Sequence, residues 1–188
     1  MVVIMVDGPT GTSIGALAGA VEEARILLEA LGAPARLVTH GLLVAEAAEA
    51  LLSGLRKLAV SVDAPWVLAG AVLHDTGKIA HPSELDAPGS SHELAGERLL
   101  LAQGVPAHIA HTCISHASWN DPACSLEERL VALADALWKG VRRPPLETLI
   151  IDEIARRTRM DRWTLFVALD NCFESIADEG PDRLARSR

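Results

Sequence analysis

Asp63-Ala64-Pro65-Trp66-Val67-Leu68-Ala69-Gly70-Ala71-Val72-Leu73-His74-Asp75-Thr76-Gly77-Lys78 reads as a capped apolar helix that ends in an imidazole and a carboxylate side by side. Asp63 is of the type that caps a first turn, Pro65 suits that turn, and no residue from Trp66 to Leu73 carries a charge. A segment of this kind belongs inside a core. The His74-Asp75 pair at its end is then out of place, because a carboxylate at the edge of an apolar interior needs a partner. Adjacent residues on a helix diverge by about 100°, so a distortion at Gly77 or a metal between the side chains is needed to make them converge. Histidine supplies a neutral nitrogen ligand, and aspartate a hard oxygen able to bridge two cations. Lys78, one turn on, sets an ammonium where a phosphoryl oxygen would sit.

The flanking segments also read as helices. Ile14, Leu17, Val21, Ala24, Leu28 and Leu31 recur at helical spacing from Ser13 to Leu31, Gly32 is a stop signal, and Pro34 precedes a second helix from about Ala35 to Leu52. A loop rich in Gly, Pro and Ser follows from Thr76 to Ser90. The Ser90–Glu93 spacing predicts a capping box for a fourth helix stopping near Gly104, and Pro106 opens a fifth that runs through His116. Ser125 and Glu128 form a second such box for the helix reaching Gly140. Pro144-Pro145 starts the next helix, to about Arg159, and Asp161 caps the last, ending near Gly180. No stretch alternates with period two, and Ala and Leu favour helix throughout. The expected fold class is all-α, a bundle of about seven to eight helices. Its expected organisation is an N-terminal segment over 1–12, one helical domain over 13–180 and a flexible tail over 181–188.

Composition narrows the function. The 188 residues and 20.0 kDa suit one domain able to bury its own core, and 49% apolar with 22% charged residues exclude disorder for most of the length. Seventeen Lys+Arg against 25 Asp+Glu give a formal net charge of -8. That argues against polynucleotide and anionic-membrane partners, which need a basic surface, but not against a small phosphate ester held at a metal. Aromatic residues, at 3% with no Tyr, leave little for a base-stacking platform. Cys113, Cys124 and Cys172 form no CxxC pair and read as reduced thiols of a cytoplasmic protein. Met1 to Val6 is too short for a signal-peptide core, and no uninterrupted apolar run has the length of a spanning helix. Gly8-Pro9-Thr10-Gly11-Thr12-Ser13 looks like a phosphate loop but lacks the lysine and spacing that such a loop requires.

Further ligand types lie on other helices. His40 sits among Val38, Leu42 and Leu43, and Asp135 interrupts the apolar run from Leu130 to Leu137. Singly, the first reads as a hydrogen-bonded core histidine and the second as an exposed acid. Together with His74-Asp75 they make four His/Asp residues on three helices, which is the composition of a metal cage between helices. The series His40, His74-Asp75, Asp135 resembles the H…HD…D signature of the HD-domain superfamily of metal-dependent phosphohydrolases. His74-Asp75-Thr76-Gly77-Lys78-Ile79 is similar to its HDIGK form, Ser91-His92-Glu93-Leu94-Ala95-Gly96 to its HExxG segment, and Leu133-Ala134-Asp135-Ala136-Leu137 to its LADxL segment. The resemblance spans roughly Ala35 to Gly140.

That resemblance implies a metal centre in which His40, His74, Asp75 and Asp135 hold one ion, while His92, His116 and a bridging Asp75 hold a second. His111 and His108, on the same expected helix, compete with His116 for that role. It implies one or two divalent ions, with Mn, Fe, Co, Ni, Zn and Mg not distinguished by the donors. The implied activity is hydrolysis of a small phosphate ester, such as a nucleotide, by a metal-activated hydroxide, with Asp75 and Lys78 catalytic. Two other readings share these residues: a dinuclear-iron oxygenase of the same superfamily cleaving a C–C or C–P bond, and a non-catalytic regulator on the same scaffold. Lys78, His81 in the loop and Arg142 beyond Asp135 are the candidate substrate contacts, although Arg142 equally suits a cationic helix end. Leu165, Phe166, Val167, Leu169 and Phe173 form an apolar stripe that packs on the core or pairs two subunits as a homodimer.

Overall fold

The structure, a computed structural model, describes residues 14–187. The 1–12 segment and the Gly8–Ser13 stretch lie outside the described residues. Helices α1 (Ile14–Ala30), α2 (Ala35–Lys57), α3 (Ala64–Leu73), α4 (Ser91–Ala102), α5 (Ala107–Ala110), α6 (Thr112–Ser115), α7 (Leu126–Leu137), α8 (Pro144–Thr158), α9 (Arg162–Asp178) and α10 (Gly180–Arg186) follow in order, with 3-10 turns at Thr76–Ile79 and Pro82–Leu85. Among the described residues there is no strand. Of the ten helices among the described residues, eight have seven residues or more, so the all-α bundle expected from the punctuation is the observed fold.

Helix α3 is its axis. Asp63 accepts the Trp66 N–H at 3.0 Å as the cap, and every residue from Val67 to Leu73 is buried. A helix apolar on all sides must be surrounded, and α1, α2 and α7 enclose it. By length and composition α2 would pass for a membrane span, yet 56% of the relevant window is buried inside the fold, as suits a core helix. The approach of α2 to α3 is close because Gly41 stands at the crossing: a Cβ there would lie 2.6 Å from the Val72 carbonyl oxygen. That crossing sets His40, the residue before Gly41, beside the end of α3.

Three sequence expectations are corrected. Ser90 makes no side-chain cap for α4; Glu84, from the 3-10 turn before it, accepts the Ser91 and His92 N–H groups at 3.1 Å each. A carboxylate reaching back from a loop has satisfied the orphan donors that a box needs. The fifth expected helix is two one-turn helices, α5 and α6, meeting at His111. The expected flexible tail is helical through Arg186, as α10, because Arg183 is only 1% exposed and donates to the Ile176 carbonyl at 2.7 Å, Glu179 at 2.5 Å and Glu46 of α2 at 3.2 Å. The second capping box is present as read, with Ser125 and Glu128 bonding reciprocally at the start of α7.

Candidate metal centre

Five elements deliver six side chains to one place. Helix α2 brings His40, the end of α3 brings His74 and Asp75, the first turn of α4 brings His92, the end of α6 brings His116, and α7 brings Asp135. The distortion needed for His74 and Asp75 to converge is the break from α3 into the 3-10 turn, where Asp75 has left helical geometry at φ -102 and ψ 11. Gly77 permits the turn to lie directly on α4, since a Cβ there would collide with the His92 carbonyl and the Gly96 nitrogen.

The side chains fall into two groups, His40/His74/Asp135 and Asp75/His92/His116. In the first, Nε2 of His40 is 3.3 Å from Nε2 of His74 and 3.7 Å from Oδ1 of Asp135, and His74 is 3.6 Å from the same oxygen. In the second, Asp75 Oδ1 is 3.2 Å from His92 Nε2 and 3.8 Å from His116 Nε2. The other oxygen of Asp75, Oδ2, faces the first group, at 3.2 Å from His40 and 3.6 Å from His74. Bonds of about 2.0–2.2 Å from an ion to nitrogen and oxygen put neighbouring ligands about 3–3.6 Å apart. The observed separations lie close to that spacing, with one carboxylate oxygen turned to each group.

The tautomers strengthen the case for cations. His74 Nδ1 lies 2.9 Å from the Ala71 carbonyl, His116 Nδ1 3.1 Å from the Thr112 carbonyl, and His92 Nδ1 2.6 Å from Glu84 Oε2. Carbonyl and carboxylate oxygens only accept, so in each ring Nδ1 carries the proton and, in the neutral imidazole, Nε2 presents a lone pair. Those lone pairs point at the carboxylates of Asp75 and Asp135, acceptor against acceptor. His92 Nε2 is buried without a hydrogen-bond partner. A divalent ion in each group would reconcile this geometry, and the donor set of imidazole and carboxylate suits one.

Burial alone would raise the Asp75 and Asp135 carboxyls, but His74 and the other imidazoles around them, with Lys139 beside Asp135, hold both below the usual carboxylate range. Burial lowers His40, and burial with the neighbouring charge of His74 brings His116 down to about 4. Burial also works against protonation of His74, yet Asp75 and Asp135 outweigh it and raise the ring. The Asp75 carboxylate facing it, against burial and with Glu84, raises His92.

A cavity of about 390 Å³ opens over these ligands, with Arg36, Lys78, Trp138 and Lys139 in its wall. Lys78 Nζ is 2.6 Å from Asp75 Oδ2, and Lys139 Nζ is 3.6 Å from Asp135 Oδ2, so an ammonium flanks each carboxylate at the cavity. His111 is turned away, with Nδ1 2.8 Å from Glu97, and His108 packs edge-on against Trp66 with ring centroids 4.8 Å apart. Of the three candidates on that stretch, His116 is the one that faces Asp75. Two expected substrate contacts are not among the residues lining the cavity. Arg142 is committed to Glu147 at 2.8 Å and Asp170 at 2.5 Å on the α8–α9 side, and His81 leads into the second 3-10 turn. The cysteines are free thiols, and burial pushes Cys113, packed against Gly96, far up, which disqualifies it as a nucleophile.

Sequence reasoning missed Glu84, Arg36 and Lys139. Lys139 was readable as an i,i+4 partner of Asp135. Glu84 carried no signal, since its acceptors and donors meet only through the fold of the loop. Among known protein families, the HD domain matches residues 37–138, just over half of the chain. No curated protein and no solved structure matches it.

Proposed function

The chain belongs to the HD-domain family, and on that premise we propose that it is a metal-dependent phosphohydrolase acting on a small phosphate ester. The observation that carries the reading is the bridging disposition of Asp75: one oxygen faces His40 and His74, the other faces His92 and His116, and Lys78 stands beside it in the cavity wall. His40, His74, Asp135 and Asp75 would hold one divalent ion, and Asp75, His92 and His116 a second. Bound there, the ions would supply Lewis acidity and a water made acidic enough to serve as nucleophile near neutral pH.

The chain supplies the rest. Ala71, Thr112 and Glu84 hold the protons of three imidazoles on Nδ1 and keep their Nε2 atoms aimed inward. Lys78 and Lys139 present ammonium groups that attract a phosphoryl group and balance charge growing on its oxygens. Trp138 packs edge-on against His40, with ring centroids 4.9 Å apart, and closes the apolar side of the site. A net-negative surface is compatible with an anionic substrate because the bound ions would dominate the local field. The fitting partner is a small phosphorylated molecule rather than a polynucleotide.

The test is reconstitution of metal-free protein under argon with Mn, Co, Ni, Zn or Fe, followed by phosphate release from a panel of phosphate esters. Turnover with a redox-inert ion, lost in Asp75→Asn and Lys78→Met, is the expected result. No phosphate release with any ion, together with dioxygen uptake by the iron-loaded protein, would replace this reading with the oxygenase of the same ligand set.

A further inference from the structure

The cavity over the ligands has a neighbour. A second hollow, of about 550 Å³, is lined by Ala35, Arg36, Thr39, Arg186 and Ser187, and it shares Arg36 and Ser187 with the first. Its wall therefore holds two guanidinium groups and two hydroxyls, and its lining includes no carboxylate among the described residues. Arg36 has Nη1 on Asp86, and Arg186 has both Nη atoms on Glu46, at 2.8 Å each. Nε of each and Nη2 of Arg36 make no hydrogen bond among the described residues. The Arg36–Asp86 pair is solvent-exposed on both sides, at 60% and 76%, and an ion pair in that setting is weak enough to yield to a better-placed anion.

The outer wall is built for permanence. It comes from α10, which lies beyond the residues matched by the family. Buried Arg183 pins this helix to α2 and α9, and α2 is also the helix that carries Arg36, Thr39 and His40. The wall is thus fixed relative to the ligands.

We propose that this hollow is a subsite for a second anionic group of the substrate. The preferred substrate, on the phosphohydrolase reading above, is a phosphate ester that carries a carboxylate or another phosphate at the end remote from the scissile group. A planar guanidinium binds both kinds of anion through paired hydrogen bonds, for which Arg36 keeps Nε and Nη2, while Arg186 keeps Nε for a single one. With Lys78 and Lys139 at one end and Arg36 and Arg186 at the other, the site is two-headed.

The experiment is calorimetric titration of the manganese-loaded full chain with three non-hydrolysable probes: butylphosphonate, phosphonobutanoate and butane diphosphonate, with longer homologues of each. The two-headed probes are expected to bind about tenfold or more tightly than the alkyl phosphonate. That ratio is expected to fall toward one in Arg36→Met and in Arg36→Met/Arg186→Met, with helical content checked by circular dichroism. Whichever two-headed probe shows the larger ratio identifies the second anion as carboxylate or phosphate. Equal binding of all three probes to the wild type overturns the subsite alone. A ratio that persists in both variants also overturns it, since the gain then comes from the metal centre. Failure of every probe to bind a protein that holds manganese removes the phosphohydrolase reading, and the subsite with it.

Discussion

Replacing Glu84 tests whether the second ligand group is set up by its support as well as by its ligands. Glu84 receives three N–H donors: Ser91 N on Oε1 at 3.1 Å, and His92 N at 3.1 Å with His92 Nδ1 at 2.6 Å on Oε2. The His92 hydrogen bond is the largest cause of a Glu84 carboxyl held down at about 2, so the group is an anion at any working pH. In Glu84→Gln the amide oxygen can still accept from His92, but the amide nitrogen then faces the Ser91 N–H, and the negative charge that makes the ring more basic is gone. In Glu84→Ala all three donors lose their acceptor and His92 is free to rotate. Loss of such a support typically costs about 10–100-fold in metal affinity, and the contacts grade the two variants: about tenfold for Gln and about a hundredfold for Ala. The His40/His74/Asp135 group makes no contact with Glu84 and is expected to keep its affinity. Equilibrium dialysis against manganese, with metal counted by mass spectrometry, should show two binding steps in the wild type and a shift of one step in each variant. An unchanged second step in folded Glu84→Ala refutes the argument, and so does an equal shift of both steps.

Other perturbations probe the scaffold and the choice of ligands. Gly77→Ala drives a Cβ into the backbone of α4, so a loss of about 2–3 kcal/mol and a fall in Tm of about 5–10 °C are expected by thermal denaturation; a Tm within about 1 °C of wild type would sink the close-approach argument. His116→Gln is expected to abolish the second metal step, whereas His111→Gln, whose ring lies on Glu97, leaves both steps in place; the reverse result would exchange their roles. Glu46 is held below the usual carboxylate range, chiefly by its hydrogen bonds from Arg186, so its contribution to stability is complete above about pH 4.5 and is lost as pH falls through the folded-state value. Because its side chain is 44% exposed, that contribution is about 1 kcal/mol or less. Urea midpoints of Glu46→Gln should lie below wild type at pH 7 and converge with it under acid; a gap constant across pH would show that the charge is irrelevant.

What could be read from the chain followed the range of the interactions involved. The apolar run of α3, the Asp63 cap and the Ser125–Glu128 box are decided within a few residues, and each stands in the structure as its spacing implied. The His74-Asp75 doublet was legible for a related reason: an ionised group at the end of a segment with no other charge has no local explanation. Glu84 was invisible because its role lies eight residues away across an irregular loop, and Ser90 was the wrong cap because a stronger acceptor arrived from that loop. Arg142 was misplaced in a related way. Its distance along the chain from Asp135 suggested the site, but Glu147 and Asp170 of neighbouring helices compete for the guanidinium and hold it elsewhere.

The two glycines at the helix crossings connect fold to chemistry. Gly41 and Gly77 lie next to or two residues from His40 and Asp75, and each lets a backbone approach where a side chain would hold it off. The first brings α2 onto α3 and so pairs His40 with His74; the second brings the turn after α3 onto α4 and so pairs Asp75 with His92. The two ligand groups therefore depend on separate contacts and share only Asp75. It follows that widening the Gly41 crossing should weaken the His40/His74/Asp135 group first, while widening the Gly77 crossing should weaken the Asp75/His92/His116 group first. Gly41→Ala and Gly77→Ala, compared by the same dialysis in proteins shown to be folded, should lose opposite metal steps. Loss of the same step in both would mean that the six ligands act as one rigid cluster, and that the division into two groups has no energetic meaning.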